Sequence, residues 1–179
     1  MAALGAEIVA VKVAFTKDLS PLFAQAGLKS VYATGKAIDE AGNKTKTRVI
    51  RAVAAQAGVK VSRARGIIRS QQAMGAGGGQ YVIIARDATL SLKEFDPRVT
   101  RKGVSAAPWG KRRVFAHSFV GPNGHVFIRK TKGRLPIKKL WGPNIPKEMV
   151  KDQAEATFYR TVGELLPTAL EKWLLRAIG

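Results

Sequence analysis

Two histidines, His117 and His125, and three closely spaced carboxylates, Asp87, Glu94 and Asp96, are the side chains here best suited to acid–base or metal chemistry. They do not add up to a site. Two imidazoles without a neighbouring carboxylate pair fall short of a metal shell. Asp96, between Phe95 and Pro97 and beside Arg98, reads as a turn carboxylate paired with arginine. The chain has no cysteine, which excludes disulfides, thiolate metal sites and thiol nucleophiles together. The glycine run Gly75–Gly79 continues into Gln80 and Tyr81 rather than the Gly-Lys-Ser/Thr a phosphate loop needs, so it reads as a flexible joint. This inventory calls for no cofactor and no metal and points away from an enzyme.

The chemistry that remains is electrostatic. Among 179 residues there are 31 Lys and Arg against 12 Asp and Glu, a net charge of +19. Such an excess repels itself unless a polyanion or an acidic partner neutralises it. The charge is uneven along the chain. Residues 1–79 hold 12 basic and 4 acidic side chains, residues 80–144 hold 14 and 3, and residues 145–179 hold 5 of each. The densest cluster is Arg98, Arg101, Lys102, Lys111, Arg112, Arg113, Arg129, Lys130, Lys132, Arg134, Lys138 and Lys139, and no acidic residue occurs from 97 to 144. Ordinary surfaces mix signs, so this stretch points to a phosphate backbone or an acidic protein ring as its partner. Phe115, Phe119, Phe127 and Trp141 interleave with the charges; alternation favours core packing for these rings, with a stacking platform for single strands as the alternative.

The elements that carry these residues follow from periodicity. Leu19 to Gly58 reads as helix, broken near Gly42–Asn43 and ended by Gly58. Ser62 is expected to cap a short helix carrying Ile67 and Ile68. Tyr81–Ala85 and Ala88–Phe95 read as strands. Arg112–Val120 and His125–Thr131 flank Gly121-Pro-Asn-Gly124, a hairpin signal that places Phe115, His117 and Phe119 on one face. Ile137–Trp141 adds a further strand. From Pro146 the period is helical again, and Pro167 either kinks that helix or starts a second one. The expected class is α+β, with N-terminal helices, a small twisted antiparallel sheet with a hairpin, and a long C-terminal helix. Three parts, 1–79, 80–144 and 145–179, form one structural domain in this reading. Ala2–Phe15 reads as a first strand or helix rather than a signal peptide, and no stretch is long and apolar enough for a membrane span.

A second motif competes for the function. Residues 54–69, Ala54-Ala-Gln-Ala-Gly58-Val-Lys-Val-Ser62-Arg-Ala-Arg-Gly66-Ile-Ile68-Arg69, have the small residues, turn glycine and serine of a helix-turn-helix. A recognition helix from Ser62 would aim Arg63, Arg65 and Arg69 at a DNA groove. A helix pair of purely structural use is the plainer reading.

The stretch Leu90-Ser-Leu-Lys-Glu-Phe95-Asp-Pro97-Arg98-Val-Thr-Arg-Lys-Gly103-Val104-Ser105 resembles the minor tail protein Z family of tailed bacteriophages. The pattern continues through Lys111-Arg-Arg-Val-Phe115 and Gly124-His-Val-Phe127-Ile-Arg129-Lys130. It closes with Leu135-Pro-Ile137-Lys-Lys-Leu-Trp141-Gly-Pro143-Asn-Ile-Pro146, and the resemblance covers roughly residues 20–178. It implies a tail completion protein without cofactor, at the neck or head-proximal end of the tail, assembled in the host cytoplasm and carried in the virion. Its partners would be other neck and tail proteins, and a homo-oligomeric ring, six-fold by analogy of location, would be the natural assembly.

A ring around DNA wants a basic lining with no sequence preference, since phosphate attraction is sequence-independent. The neutral C-terminal helix offers Phe158, Leu166, Trp173 and Leu174 for intersubunit packing or, equally, for the chain's own core. Two rivals stand beside this reading. One is a DNA-binding regulator using residues 54–69; the other is an assembly chaperone absent from the finished particle.

Overall fold

The computed structural model describes residues 18–75, 78–86 and 88–179. The expectation for Ala2–Phe15 therefore lies outside the described residues. Helices α1 (Ser20–Ala26) and α2 (Lys29–Ala57) open the fold, and α5 (Asp152–Ile178) closes it. Small side chains make the α2–α5 packing close. Ala33, Ala37, Ala41 and Thr45 recur every four residues along α2, followed by Val49, Val53 and Ala57, and all are buried. A four-residue spacing keeps them on one face of the helix. Opposite them α5 buries Ala154, Thr157, Thr161, Ala169, Leu170 and Leu174. Ala33 packs with Leu174, and Ala37 and Ala41 with Ala169 and Leu170. At the other end the Ala154 amide donates to Gln56 Oε1 at 3.2 Å, so the two helices run antiparallel. Pro167 neither splits nor ends α5; the helix is continuous through it.

The break expected at Gly42–Asn43 lies instead at Gly27, whose positive φ of 49° separates α1 from α2. Gly42 has another use. The Tyr81 ring rests on it so closely that an added Cβ would collide with the ring, and Tyr81 Oη donates to Asn43 Oδ1 at 2.9 Å. At the end of α2, Gly58 (φ 72°) caps the helix as expected, its amide reaching Ala54 O and Ala55 O. The next helix, α3 (Val61–Ile67), begins after Lys60; Ser62 lies inside it and its side chain makes no cap bond.

The strand Tyr81–Ala85 belongs to a longer hairpin that the sequence reading divided between helix and linker. Strands β1 (Ile68–Gly75) and β2 (Gly78–Ala85) pair antiparallel from Ile68↔Ala85 to Gly75↔Gly78. Of the glycine run, Gly75, Gly78 and Gly79 belong to these strands, with Gly75↔Gly78 the last pair; the two residues between them lie outside the described residues. This hairpin lies across α2, and Lys46 Nζ donates to Ser70 Oγ at 2.9 Å.

The middle of the chain builds three further small sheets. Strand β3 (Thr89–Ser91) pairs with β10 (Trp141–Asn144), and a 3-10 turn over Leu92–Glu94 replaces the rest of the expected Ala88–Phe95 strand. Strands β4 (Arg98–Thr100), β5 (Gly103–Ala106) and β6 (Arg113–Ala116) form a second sheet; β7 (Ser118–Val120), β8 (Val126–Arg129) and β9 (Ile137–Lys139) form a third. The expected strand Arg112–Val120 is thus two strands in two sheets. His117 separates them with φ 57°, its amide donating to Lys102 O at 3.1 Å. Phe115 and Phe119 consequently belong to different sheets and do not share a face. The Gly121–Gly124 hairpin is present, with Phe119↔Phe127 and Val120↔Val126 across it. Ile137–Trp141 is likewise divided, at Leu140, between β9 and β10.

Helix α4 (Ile145–Met149) starts with Asn144 as its cap, Oδ1 accepting from the Lys147 amide at 3.1 Å. The largest of three apolar clusters among the described residues joins the helices to the sheets. It contains Val49 and Val53 of α2, Ile67 of α3, Leu90 of β3, Leu92, Phe95, Val104 of β5, Val126 of β8, Ile145 of α4 and Ala154 of α5. The architecture is α+β: among the described residues, five helices, the last of them long and C-terminal, with small antiparallel sheets. No helix among the described residues is long and apolar enough to cross a membrane.

Candidate nucleic-acid interface

The positively charged residues sort into two groups by what they touch. Arg98 and Arg112 converge on Asp96, which sits at φ 48° in the turn before β4. Arg98 Nη2 lies 2.9 Å and Arg112 Nη2 2.6 Å from Asp96 Oδ2, and Arg112 Nη1 also donates to Ser105 Oγ at 3.3 Å. Hydrogen bonding from Arg98, then the nearby Arg112, holds the Asp96 carboxyl below its ordinary value. The expected turn carboxylate paired with Arg98 is present, and it engages Arg112 as well. These two arginines therefore fasten the 96–112 segment together.

The second group has no carboxylate partner among the described residues: Arg101, Lys102, Lys111, Arg113, Arg129, Lys130, Lys132, Arg134, Lys138 and Lys139. All are exposed except Lys139, which is half-buried. Arg101 and Lys102 form the β4–β5 turn. Arg129 ends β8, Lys138 and Lys139 sit on β9, and Lys130, Lys132 and Arg134 occupy the connection between those strands. Several cations lie over aromatic rings instead of acids. Arg113 Cζ is 5.2 Å from the Trp109 ring centre and 4.9 Å from that of Phe115. Arg129 Cζ stands 5.3 Å from Phe119, and Lys139 Nζ 4.1 Å from Trp141. Such contacts hold a cation in place while leaving its charge unneutralised.

His125 belongs to this face. Its Nδ1 is 2.8 Å from Ser91 Oγ and its Nε2 is 3.5 Å from Lys139 Nζ. Desolvation, followed by the charges of Lys139 and Lys93, pushes the imidazole pKa down. A neutral ring accepts from Lys139 at Nε2 and donates from Nδ1 to Ser91, so His125 adds no further charge. His117 is placed apart, at the β6–β7 break.

The residues weighed for other chemistry are otherwise occupied. Asp87 lies outside the described residues. Glu94 holds Arg63 in a two-pronged pair, Nε–Oε2 2.7 Å and Nη2–Oε1 3.0 Å. That pair lines an open groove of about 460 Å³ with Val59, Lys60 and Ser62. For the helix-turn-helix reading, the second helix spans only Val61–Ile67, Arg63 is turned to Glu94, and Arg69 lies on strand β1.

The four apolar residues singled out on the C-terminal helix face the chain itself. Leu174 is fully buried between Ala26 and Ala33, Phe158 packs on the main core, and Leu166 packs against the α1–α2 cluster. Trp173 Nε1 donates to Glu40 Oε2 at 2.9 Å, beside Lys172 Nζ at 2.7 Å. Hydrogen bonds from Lys172, Lys44 and Trp173 lower the Glu40 carboxyl to about 2.

Two groups of residues carry no sequence signal of their roles. Gln56 and Trp109 both donate to the buried Glu148 carboxylate, although the three lie far apart in the chain. The His125–Lys139–Trp141 layering also joins residues from separate segments: His125 just before β8, Lys139 on β9 and Trp141 on β10. No protein family matches the chain, and no curated protein or solved structure matches it either.

Proposed function

We propose that this chain is a non-enzymatic structural protein of a bacteriophage particle, acting in tail completion at the neck or head-proximal end of the tail. Its work is assembly. Subunits close into a ring, six-fold by analogy of location, among other neck and tail proteins, and the cations without carboxylate partners meet a polyanion without sequence preference. The observation that carries the reading joins sequence to structure. The two most specific segments of the family resemblance, 90–105 and 135–146, are distant in sequence but meet where β3 pairs with β10, Ser91 opposite Trp141. Phe95 of the first segment packs against Gly142 of the second, where a Cβ would meet its ring. Between them the chain builds the sheets that carry the unneutralised cations.

Quantitative mass spectrometry of purified, infectious particles tests the proposal by counting this chain against the major tail-tube protein. A fixed ratio of a few copies per particle is expected. Absence from infectious particles would remove the structural role and favour an assembly chaperone or a regulator. Charge reversal tests the basic face. Arg101→Glu with Lys102→Glu is the suitable variant, because Arg112 also ties Asp96 to Ser105 and its reversal would disturb the fold. Normal folding with lowered infectivity is expected; a wild-type titre would count against a polyanion at this face. A regulator would instead prefer one duplex sequence in a salt-resistant manner.

A further inference from the structure

The outward face of the β7–β8–β9 sheet is an aromatic surface set among cations. Residues directly opposite on neighbouring strands project from the same side of a sheet, and so do residues two apart along a strand. Phe119, Phe127 and Lys139 are aligned across the three strands, and Arg129 opposite Ile137 is the next row on that side. His125 precedes Phe127 by two residues, and Trp141 follows Lys139 by two. The other side of the sheet carries Val126, which is fully buried, and Ser118, which is buried, with Val120 and Lys138 exposed at its margins. The Phe119 and Phe127 rings stack with centres 6.0 Å apart and planes inclined by 29°, and His125 meets Phe127 edge-on at 6.4 Å. Ile137 is 40% exposed and Trp141 49%.

We propose that this face binds single-stranded nucleic acid, its bases stacking on Trp141 and Phe119 and its phosphates meeting Lys139, Arg129 and the cations of the β8–β9 connection. Three observations select that ligand. Trp141 is half exposed and Phe119 partly so, and a base whose face is free can stack there, whereas a duplex keeps its base faces stacked inside. The cations over the rings, Lys139 on Trp141 and Arg129 on Phe119, have no carboxylate among the described residues and can turn to a phosphate as a base takes their place. Lys130, Lys132 and Arg134 continue the positive track beside the rings, also without carboxylate partners among the described residues. A backbone following the track neutralises them while successive bases reach the aromatic row. The inference does not depend on placing the chain in a particle, and particle composition leaves it untouched.

Fluorescence anisotropy of the purified full chain with labelled oligothymidine, and with a blunt duplex of equal length, tests it. At about 0.15 M salt, where phosphate attraction alone is weakened, the single strand should bind at least tenfold more tightly. Trp141→Ala should weaken single-strand binding about tenfold, the loss of one stacked base, and leave duplex binding unchanged. Phe119→Leu keeps apolar bulk in the sheet but removes the ring, and should act in the same direction; circular dichroism checks that both variants fold. Equal binding of the two forms, indifferent to both substitutions, would overturn the proposal in favour of phosphate attraction alone. Binding of neither form would overturn it in favour of a protein partner.

Discussion

Glu148 holds the turn that carries Trp109 against the helices, and removing its carboxylate has a cost that can be worked from its contacts. The side chain is 7% exposed. Its Oε2 accepts from Gln56 Nε2 at 2.8 Å and its Oε1 from Trp109 Nε1 at 3.0 Å. Gln56 in turn accepts from the Ala154 amide at the start of α5, so α2, α4, α5 and the 108–110 turn meet at this carboxylate. Hydrogen bonds to a charged group contribute about 1.5–3 kcal/mol each. Trp109 is partly exposed and its freed N–H reaches water, which places that loss near the bottom of the range. Gln56 keeps one acceptor, the Glu148 carbonyl at 3.2 Å. Glu148→Ala should therefore destabilise by about 2–3 kcal/mol, lowering Tm by roughly 5–10 °C for a domain of this size. Glu148→Gln, which retains one acceptor oxygen, should lose about half as much. Urea unfolding followed by circular dichroism measures both, with unchanged m as the check that only stability moved. A loss below about 0.5 kcal/mol for Glu148→Ala would refute the reasoning, since that is the effect of an ordinary surface change. So would strict additivity with Gln56→Ala, because groups in direct contact should couple.

Glu40 joins α2 to α5 through Lys172 and Trp173, and its folded pKa of about 2 lies below the ordinary 4.5. A depressed carboxyl stabilises the fold fully above the unfolded value and loses that contribution as pH falls toward the folded one. The advantage of wild type over Glu40→Gln, about 1 kcal/mol after solvent screening, should be complete at pH 7 and shrink between pH 4.5 and 2; urea midpoints across that span check it. Thr45 on α2 and Thr161 on α5 bury hydroxyls that have no hydrogen-bond partner among the described residues. Valine at either position keeps the shape and removes a desolvated polar atom, so each substitution should raise stability by about 1 kcal/mol; an unchanged or lower Tm would contradict this. Gly58→Ala combines a left-handed φ of 72° with a Cβ driven into the backbone of Gly110, and should lose at least about 2 kcal/mol in urea unfolding, whereas Gly66→Ala, with open space at its Cβ, should not destabilise.

Local chemistry made a good part of this protein legible in its sequence. Helical composition marks α2, Gly58 its end, and Asn123-Gly124 the β7–β8 hairpin, because each depends on residues close along the chain. The acid-free stretch from 97 to 144 is readable for the same reason, since charge is counted without coordinates. What tertiary structure alone decided involves partners distant in sequence. Gly42 looked like a helix breaker, but α2 runs through it because the Tyr81 ring needs the space a side chain would fill. The glycine run looked like a joint, yet eight residues on either side of its middle pair as strands laid on α2. One alternating stretch became β6 and β7 because His117 takes a left-handed turn and hands the chain from one sheet to another. Glu94 holding Arg63, Glu148 joining Gln56 to Trp109, and Lys139 lying over Trp141 beside His125 all arise when separate elements pack. Propensity and periodicity act over a turn or two of chain, whereas these contacts are set by which surfaces meet once helices and sheets have packed.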